Sequence, residues 1–243
     1  MRAFIHSFQQ KPYNIDCQIA YDGFRKLGVE PVLFTTNEEF DRRNPEDVVV
    51  GGVFMVWHAL NERGIVPKYL DYPEELVDFL GRKIWKIRLK DIHNEKFPVF
   101  IKPVEEKIAP GIVVKSKEDL EEYRLLDPET EIFCSEVVSL VSEWRCFLIY
   151  GQVIGIHFYY GDCELECDRA VIDAAVNDYP DMPAGFAMDF GVTDDGRTIL
   201  IEVNDGYSLG AYGLEPTLYA RLLTARWAEL NGTEDIIKLN DLM

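Results

Sequence analysis

The chain has 243 residues, 47% of them hydrophobic, and a net charge of −18. That is enough for one large domain or two small ones with a sizeable core. A surface this acidic repels nucleic acid and anionic lipid, so neither is expected as a partner, and no apolar run reaches the roughly 18 residues of a membrane span.

The opening MRAFIHSFQQKPYN lacks the long apolar stretch and cleavage pattern of a secretory signal. Five cysteines, at 17, 134, 146, 163 and 167, suit reduced thiols better than a disulfide framework. A cytoplasmic location is expected. The charge is uneven: residues 146–243 hold 17 acids against 5 bases, whereas residues 82–102 hold 7 bases against 2 acids. That basic stretch is either a solvated face or one wall of an anion site.

Residues 2–8 read as a strand. Asn14 to Leu27 reads as a helix, with Ile15, Ile19, Phe24 and Leu27 roughly on one face and Gly28 ending it. Pro31–Thr35 and Asp47–Val50 read as strands, and Val53–Arg63 as a helix. This alternation predicts a small α/β domain with a parallel sheet. DYPEELVDFLGRKIW, residues 71–85, reads as helical. Beyond it the texture becomes strand-like, at 98–103, 111–114, 131–138, 143–161 and 184–204, and a helix over Pro216–Leu230 closes the chain.

Within 184–204, Asp195-Gly196 between two apolar runs is a hairpin signal of the two-residue type I′ kind. Counting back from it puts Phe190 opposite Ile201 and Asp189 opposite Glu202, with Asn204 on the same face as Glu202. Two carboxylates that close repel one another and call for a cation. With the Asn204 amide oxygen they form a hard-oxygen set suited to Mg²⁺. The alternative is a register shifted by one residue, or two solvated carboxylates at a sheet edge. Gly151-Gln152 marks a second hairpin of the Gly-X type. Lys102, at the end of the apolar strand PVFIK, and Arg145, within EWRCFLI, are charges in apolar runs. Each is either a site cation or an ordinary snorkelling or paired side chain. Cys163, Cys167 and His157 lack a CxxC pair and a fourth ligand, so zinc is not expected. There is no dinucleotide or P-loop fingerprint and no nucleophile elbow.

Four segments carry a family resemblance: GRKIW (81–85); FIKP (100–103) with Lys107 and Gly111; SEVVSLVSEWRCF (135–147); and DFGVTDDGRTILIEVNDGYSLGAYG (189–213). Together they resemble the ATP-grasp superfamily, and within it the small stand-alone clade named for an arginine and two lysines. The resemblance implies an α/β protein, α+β in its second half, with a pre-ATP-grasp α/β domain over residues 1–80. An ATP-grasp domain over 81–243 would clasp ATP between two subdomains. It implies that Lys102 and Lys107 meet nucleotide phosphates. Glu136, Val137 and Val138 would form the hinge that meets adenine, and Glu143 would meet ribose. Arg145 would hold phosphate or an acyl phosphate, with Arg145 and Lys107 the catalytic pair. Asp189, Glu202 and Asn204 would bind Mg²⁺ or Mn²⁺, and Arg82 is a further nucleotide candidate. The usual reaction of the superfamily joins a carboxylate to an amine (or thiol) with ATP, so a small-molecule or peptide substrate with those groups is implied. Phosphotransfer on the same site, and a non-catalytic ATP-binding module, are the alternatives. One departure stands out: the loop after the phosphate lysine reads VEEKIAPG, with a single glycine.

Overall fold

The structure, a computed structural model, describes residues 1–105 and 108–238. Its first layer is parallel. Strand β1 (Ala3–Phe8) pairs in parallel with β3 (Pro31–Phe34) on one side and β4 (Val48–Val50) on the other. It also folds back on the short β2 (Lys11–Pro12). Ala3, Phe4, Ile5 and all three residues of β4 are buried, the near-continuous apolar run expected of strands covered on both faces. Helix α1 (Ile15–Lys26) starts where Asn14 accepts a hydrogen bond from the Cys17 amide at 2.9 Å. It ends at Leu27, with Gly28 following in the left-handed region. A single helical turn, α2 (Asn37–Phe40), and α3 (Val53–Asn61) complete this part.

Residues 71–85 depart from the helical expectation. Only Glu74–Phe79 coils, as a 3₁₀ turn, and Gly81 stops it at a positive φ. The chain then becomes strand β5 (Ile84–Arg88). Trp85 and Ile87 face one core and Ile84 another, so apolar residues on both sides of a strand mimic a helical spacing. Strand β5 belongs to an antiparallel sheet of order β5-β8-β6-β7, with β6 Val99–Pro103, β7 Ile112–Val114 and β8 Glu131–Ser135.

The third sheet, also antiparallel, has the order β10-β9-β11-β12. Strands β9 (Leu140–Ile149) and β10 (Gln152–Gly161) meet at Tyr150-Gly151. Both turn residues have positive φ, so they form a type I′ turn in place of the expected Gly-X turn one residue later. Helix α4 (Arg169–Asn177) follows, then β11 (Gly185–Thr193) and β12 (Thr198–Asp205). Their hairpin turns through three residues: Thr193 and Arg197 close it, and Gly196 sits at φ +85. Phe190 therefore pairs with Leu200, one residue away from the expected partner. A β-bulge between Asp189 and Phe190 then restores the count, and Asp189 faces Glu202 as expected.

Helix α5 (Pro216–Asn231) opens on a proline after the Glu215 cap and stops at Gly232 in the left-handed region. It packs against α1, and Leu222, Leu223 and Trp227 share one core with Phe4, Phe24 and Phe147. That core runs from the parallel layer into the third sheet. Among the described residues, no helix is long and apolar enough to cross a membrane.

Candidate active site

One face of the sheet that ends in β12 looks into a cavity of about 480 Å³, closed on the other side by residues of β6 and the loop after it. Lys102, Arg145, Asp189, Glu202 and Asn204 all line it. Alternation puts them there. Cross-strand pairing sets Arg145 of β9 beside Asp189 of β11 and Asp189 beside Glu202 of β12, and Asn204 lies two residues further along the same face. Lys102 comes from the opposing sheet.

Each carboxylate has its own cation. Arg145 donates from Nε and Nη2 to the two oxygens of Asp189, both at 2.7 Å, a fork-on-carboxylate geometry. Lys102 donates from Nζ to Glu202 at 2.7 Å and to Asp71 at 2.5 Å. Asn204 Nδ2 donates to Asp189 at 2.9 Å and lies 3.4 Å from Glu202 Oε1. Burial works against the charge on Lys102, yet Glu202, Tyr72 and Asp71 together hold its ammonium above the ordinary lysine range. Burial likewise opposes charge on Glu202, and Lys102 holds the carboxyl below the usual range. Burial pushes the Asp189 carboxyl up against the pull of Arg145. The repulsion expected from the facing carboxylates is thus already neutralised by two side chains of the protein.

Among the described residues, no three His, Cys, Asp or Glu side chains form a metal cage by themselves. Asp189, Glu202 and Asn204 carry hard oxygen donors on one wall, a partial set of the kind that suits Mg²⁺ shared with phosphate oxygens. Asp71, also on this wall, has a buried Oδ2 with no hydrogen-bond partner among the described residues. On that donor chemistry the residues fit a divalent cation.

The other expected residues sit elsewhere. Glu136 follows β8 and accepts from the Lys83 amide at 2.8 Å, while its own amide donates back to Lys83 at 3.0 Å. Val137 is exposed and Val138 half-buried beside it. Glu143, on the same face as Arg145, accepts from the Tyr159 hydroxyl at 2.7 Å. Burial, Asp189 and Glu143 together push that hydroxyl above the ordinary tyrosine range. Arg82 donates to three backbone carbonyls and to Ser135. Glu136, Val137, Val138, Glu143 and Arg82 do not line the cavity, whereas Tyr159 does. Lys107 lies outside the described residues.

Three residues that the sequence analysis does not single out as site residues stand here, Asp71 in the cavity wall and Tyr72 and Lys86 beside it. Asp71 accepts from the Val203 amide through its backbone oxygen at 2.8 Å, so the linker before β5 covers the open edge of β12. Tyr72 packs edge-on against Phe133, with Lys102 Nζ 4.8 Å from its ring. Lys86 Nζ of β5 lies 4.7 Å from the centre of the Phe133 ring. Reading 84–88 as an alternating strand would have singled out Lys86. Nothing local marks Asp71 or Tyr72.

A parallel α/β layer followed by two antiparallel sheets with a cleft between them, here lined by Lys102, Arg145 and several carboxylates, is the ATP-grasp architecture. The chain belongs to the family described as "ATP-grasp domain, R2K clade family 2", whose model matches residues 79–222, more than half of its length. No sequence among the curated proteins matches it. Similar solved structures share the fold at low identity. One is D-alanine–D-alanine ligase from Bacillus anthracis complexed with ATP, with a TM-score of 0.56, 14% identity, and 95% of this chain and 97% of that chain covered. Another is N5-carboxyaminoimidazole synthetase from Staphylococcus aureus, with a TM-score of 0.57, 12% identity and coverage of 93% and 77%. A third is the ATP-grasp ligase PsnB complexed with a phosphomimetic variant of its minimal precursor, Mg and ADP, with a TM-score of 0.50, 17% identity and coverage of 94% and 97%.

Proposed function

We propose that the protein is an ATP-dependent ligase that activates a carboxylate as an acyl phosphate and passes it to an amine (or thiol), releasing ADP. The observation that carries this reading is the meeting of Lys102 and Arg145 with Asp189, Glu202 and Asn204 around one cavity. The kinship with ligases of this fold supports it. Phosphoryl transfer asks little covalent chemistry of a protein; it asks for positioning and for charges opposed to the transferring group.

In this reading Lys102, with Lys107, draws the nucleotide phosphates into the cleft by exchanging Asp71 for a phosphate oxygen. Asp189, Glu202 and Asn204 hold Mg²⁺ (or Mn²⁺), which when bound neutralises charge on the transferring phosphoryl group. Arg145 steadies the substrate carboxylate and then the acyl phosphate. The carboxylate oxygen bonds to the γ-phosphorus as the bond to ADP breaks. The amine then attacks the acyl carbon and inorganic phosphate leaves. Glu136 to Val138 read adenine through backbone groups, and Glu143 meets ribose. The acceptor end is walled by Tyr159, Tyr212 and the loop Tyr207–Gly210. The substrate is an amino acid or peptide, the class named for two of the similar structures.

The test is ATP with Mg²⁺ and pooled carboxylic acids, amino acids and short peptides, with ADP release followed by mass spectrometry of products. Substrate-dependent ADP release with an adduct lighter by one water than its two components is expected. A phosphorylated product in place of an amide would convert the reading to phosphotransfer, and absent turnover with intact ATP binding to a binding module.

A further inference from the structure

Arg82 uses four of its five N–H donors without lining the cavity. Its Nη1 donates to the carbonyls of Leu80 at 2.9 Å and Leu200 at 2.8 Å, its Nη2 to that of Ile201 at 2.8 Å, and its Nε to Ser135 Oγ at 3.1 Å. Two of these acceptors are successive residues of one strand. In a regular strand successive carbonyls point to opposite sides, so one planar fork cannot take both. Here it can, because Leu200 and Ile201 sit at the β12 bulge: Phe190 pairs with Leu200, Asp189 pairs with Glu202, and Ile201 is the extra residue.

The bulge decides the site. Were the turn-proximal register to continue, Asp189 would face Ile201 and Glu202 would face Met188. A slip of one residue moves side chains to the other face of the sheet. Glu202 would then leave the face that carries Asp189 and Arg145. Through Ser135, which donates to the Glu136 carbonyl at 2.8 Å, the same guanidinium is tied to the end of β8. We infer that Arg82 is a positioning residue: its fork holds the β12 bulge and thereby keeps Glu202 opposite Asp189, and it does so without contacting nucleotide. The effect on turnover rests on the ligase reading above; the geometric claim does not.

The experiment compares wild type with Arg82→Lys and Arg82→Gln, since lysine keeps the charge but lacks the fork. Hydrogen exchange is measured on the nucleotide-free protein, ATP affinity by calorimetry in EDTA, and ADP release across a Mg²⁺ titration. In both variants amides of 199–203 should exchange at least about 10-fold faster, with the β1–β3–β4 layer unchanged, as for local opening. ATP affinity without metal should stay within about threefold, while the Mg²⁺ needed for half-maximal turnover rises roughly 10- to 100-fold, as when an outer partner of a metal ligand is lost. Unchanged exchange at 199–203, or a loss of metal-free ATP affinity beyond about 10-fold with the Mg²⁺ dependence intact, overturns the inference and makes Arg82 a nucleotide contact. If the wild type neither binds nor turns over ATP, the ligase reading fails and the exchange arm still decides the role of Arg82. If the Arg82 variants do not fold, Ser135→Ala removes one anchor and leaves the fork. The same exchange pattern at smaller amplitude is expected from it, and no change overturns the inference.

Discussion

Glu202 and Asp189 face each other, yet neither depends on an ion from solution, because Lys102 and Arg145 already compensate them. This reverses the simplest expectation for Glu202→Gln. Relief of carboxylate repulsion would stabilise the free protein; loss of a buried cation's partner destabilises it. With Asp71 still holding Lys102, the cost should be about 1–3 kcal/mol, the range of a hydrogen bond to a charged group. The sign with pH follows from the two shifts. The Glu202 carboxyl is held low, so its contribution is complete above the ordinary glutamate value and fades as pH falls through its lower folded value. The Lys102 ammonium is held high, so its contribution is complete below the ordinary lysine value and fades only in strong alkali. The difference in melting between wild type and Glu202→Gln should be flat from about pH 5 to 9 and shrink below about pH 4. A difference that disappears near neutrality would mean the pair is not formed. Under the ligase reading the same variant should lose about 100-fold or more of Mg²⁺-dependent ADP release, as when one preorganised charge is removed from a phosphoryl-transfer site.

At the scale of elements, helices α1 and α5 touch through a glycine. A Cβ at Gly23 would lie 1.9 Å from the Pro216 carbonyl oxygen and 2.6 Å from its carbon, both rigid backbone. Alanine in a helix ordinarily gains about 1 kcal/mol over glycine. Here the helices would have to part, and overpacking of about 1–3 kcal/mol should outweigh that gain. Gly23→Ala is therefore expected to lower the denaturation midpoint, read by urea melting; an increase would show that the contact yields freely. The elements most legible in the sequence were those with local markers. The helix that starts at Asn14 and stops at Gly28, the hairpin at Asp195-Gly196 and the helix opened by Pro216 each carry their own chemistry. The segment 71–85 was misread because its apolar spacing answers two cores at once, and pairing of β5 with β8 outranks helical periodicity. In the β11–β12 hairpin two departures cancel: a turn longer by one residue and a bulge of one residue. The facing of Asp189 and Glu202 was legible only because of that cancellation.

Across the whole molecule, the cleft is held between sheets that meet over the linker carrying Asp71 and Tyr72. A nucleotide that takes Lys102 from Asp71 should tie these sheets together and raise stability by mass action. At a ligand concentration 100 times the dissociation constant the gain is about 2.7 kcal/mol, a shift of roughly 5–10 °C for a chain of this size. Thermal melting with ATP and Mg²⁺ should show that rise in wild type and little of it in Lys102→Ala. An equal rise in both would remove Lys102 from the phosphate site.

The sequence alone carried the local information: alternation that buries one strand face, turn residues, the glycine that ends the first helix, the uneven charge, and the four segments that resemble the ATP-grasp superfamily. It also placed Glu202 and Asn204 on one face, since strand alternation is a property of neighbours in the chain. What met those groups was decided by tertiary structure. Lys102 reaches Glu202 across 100 residues and Asp71 across 31, Arg145 reaches Asp189 across 44, and Arg82 reaches Leu200 across 118. No periodicity links positions so far apart; their meeting depends on which sheet faces which, and at what register. The bulge that aligns Glu202 belongs to the same class, because an extra residue in a strand is defined only against its partner.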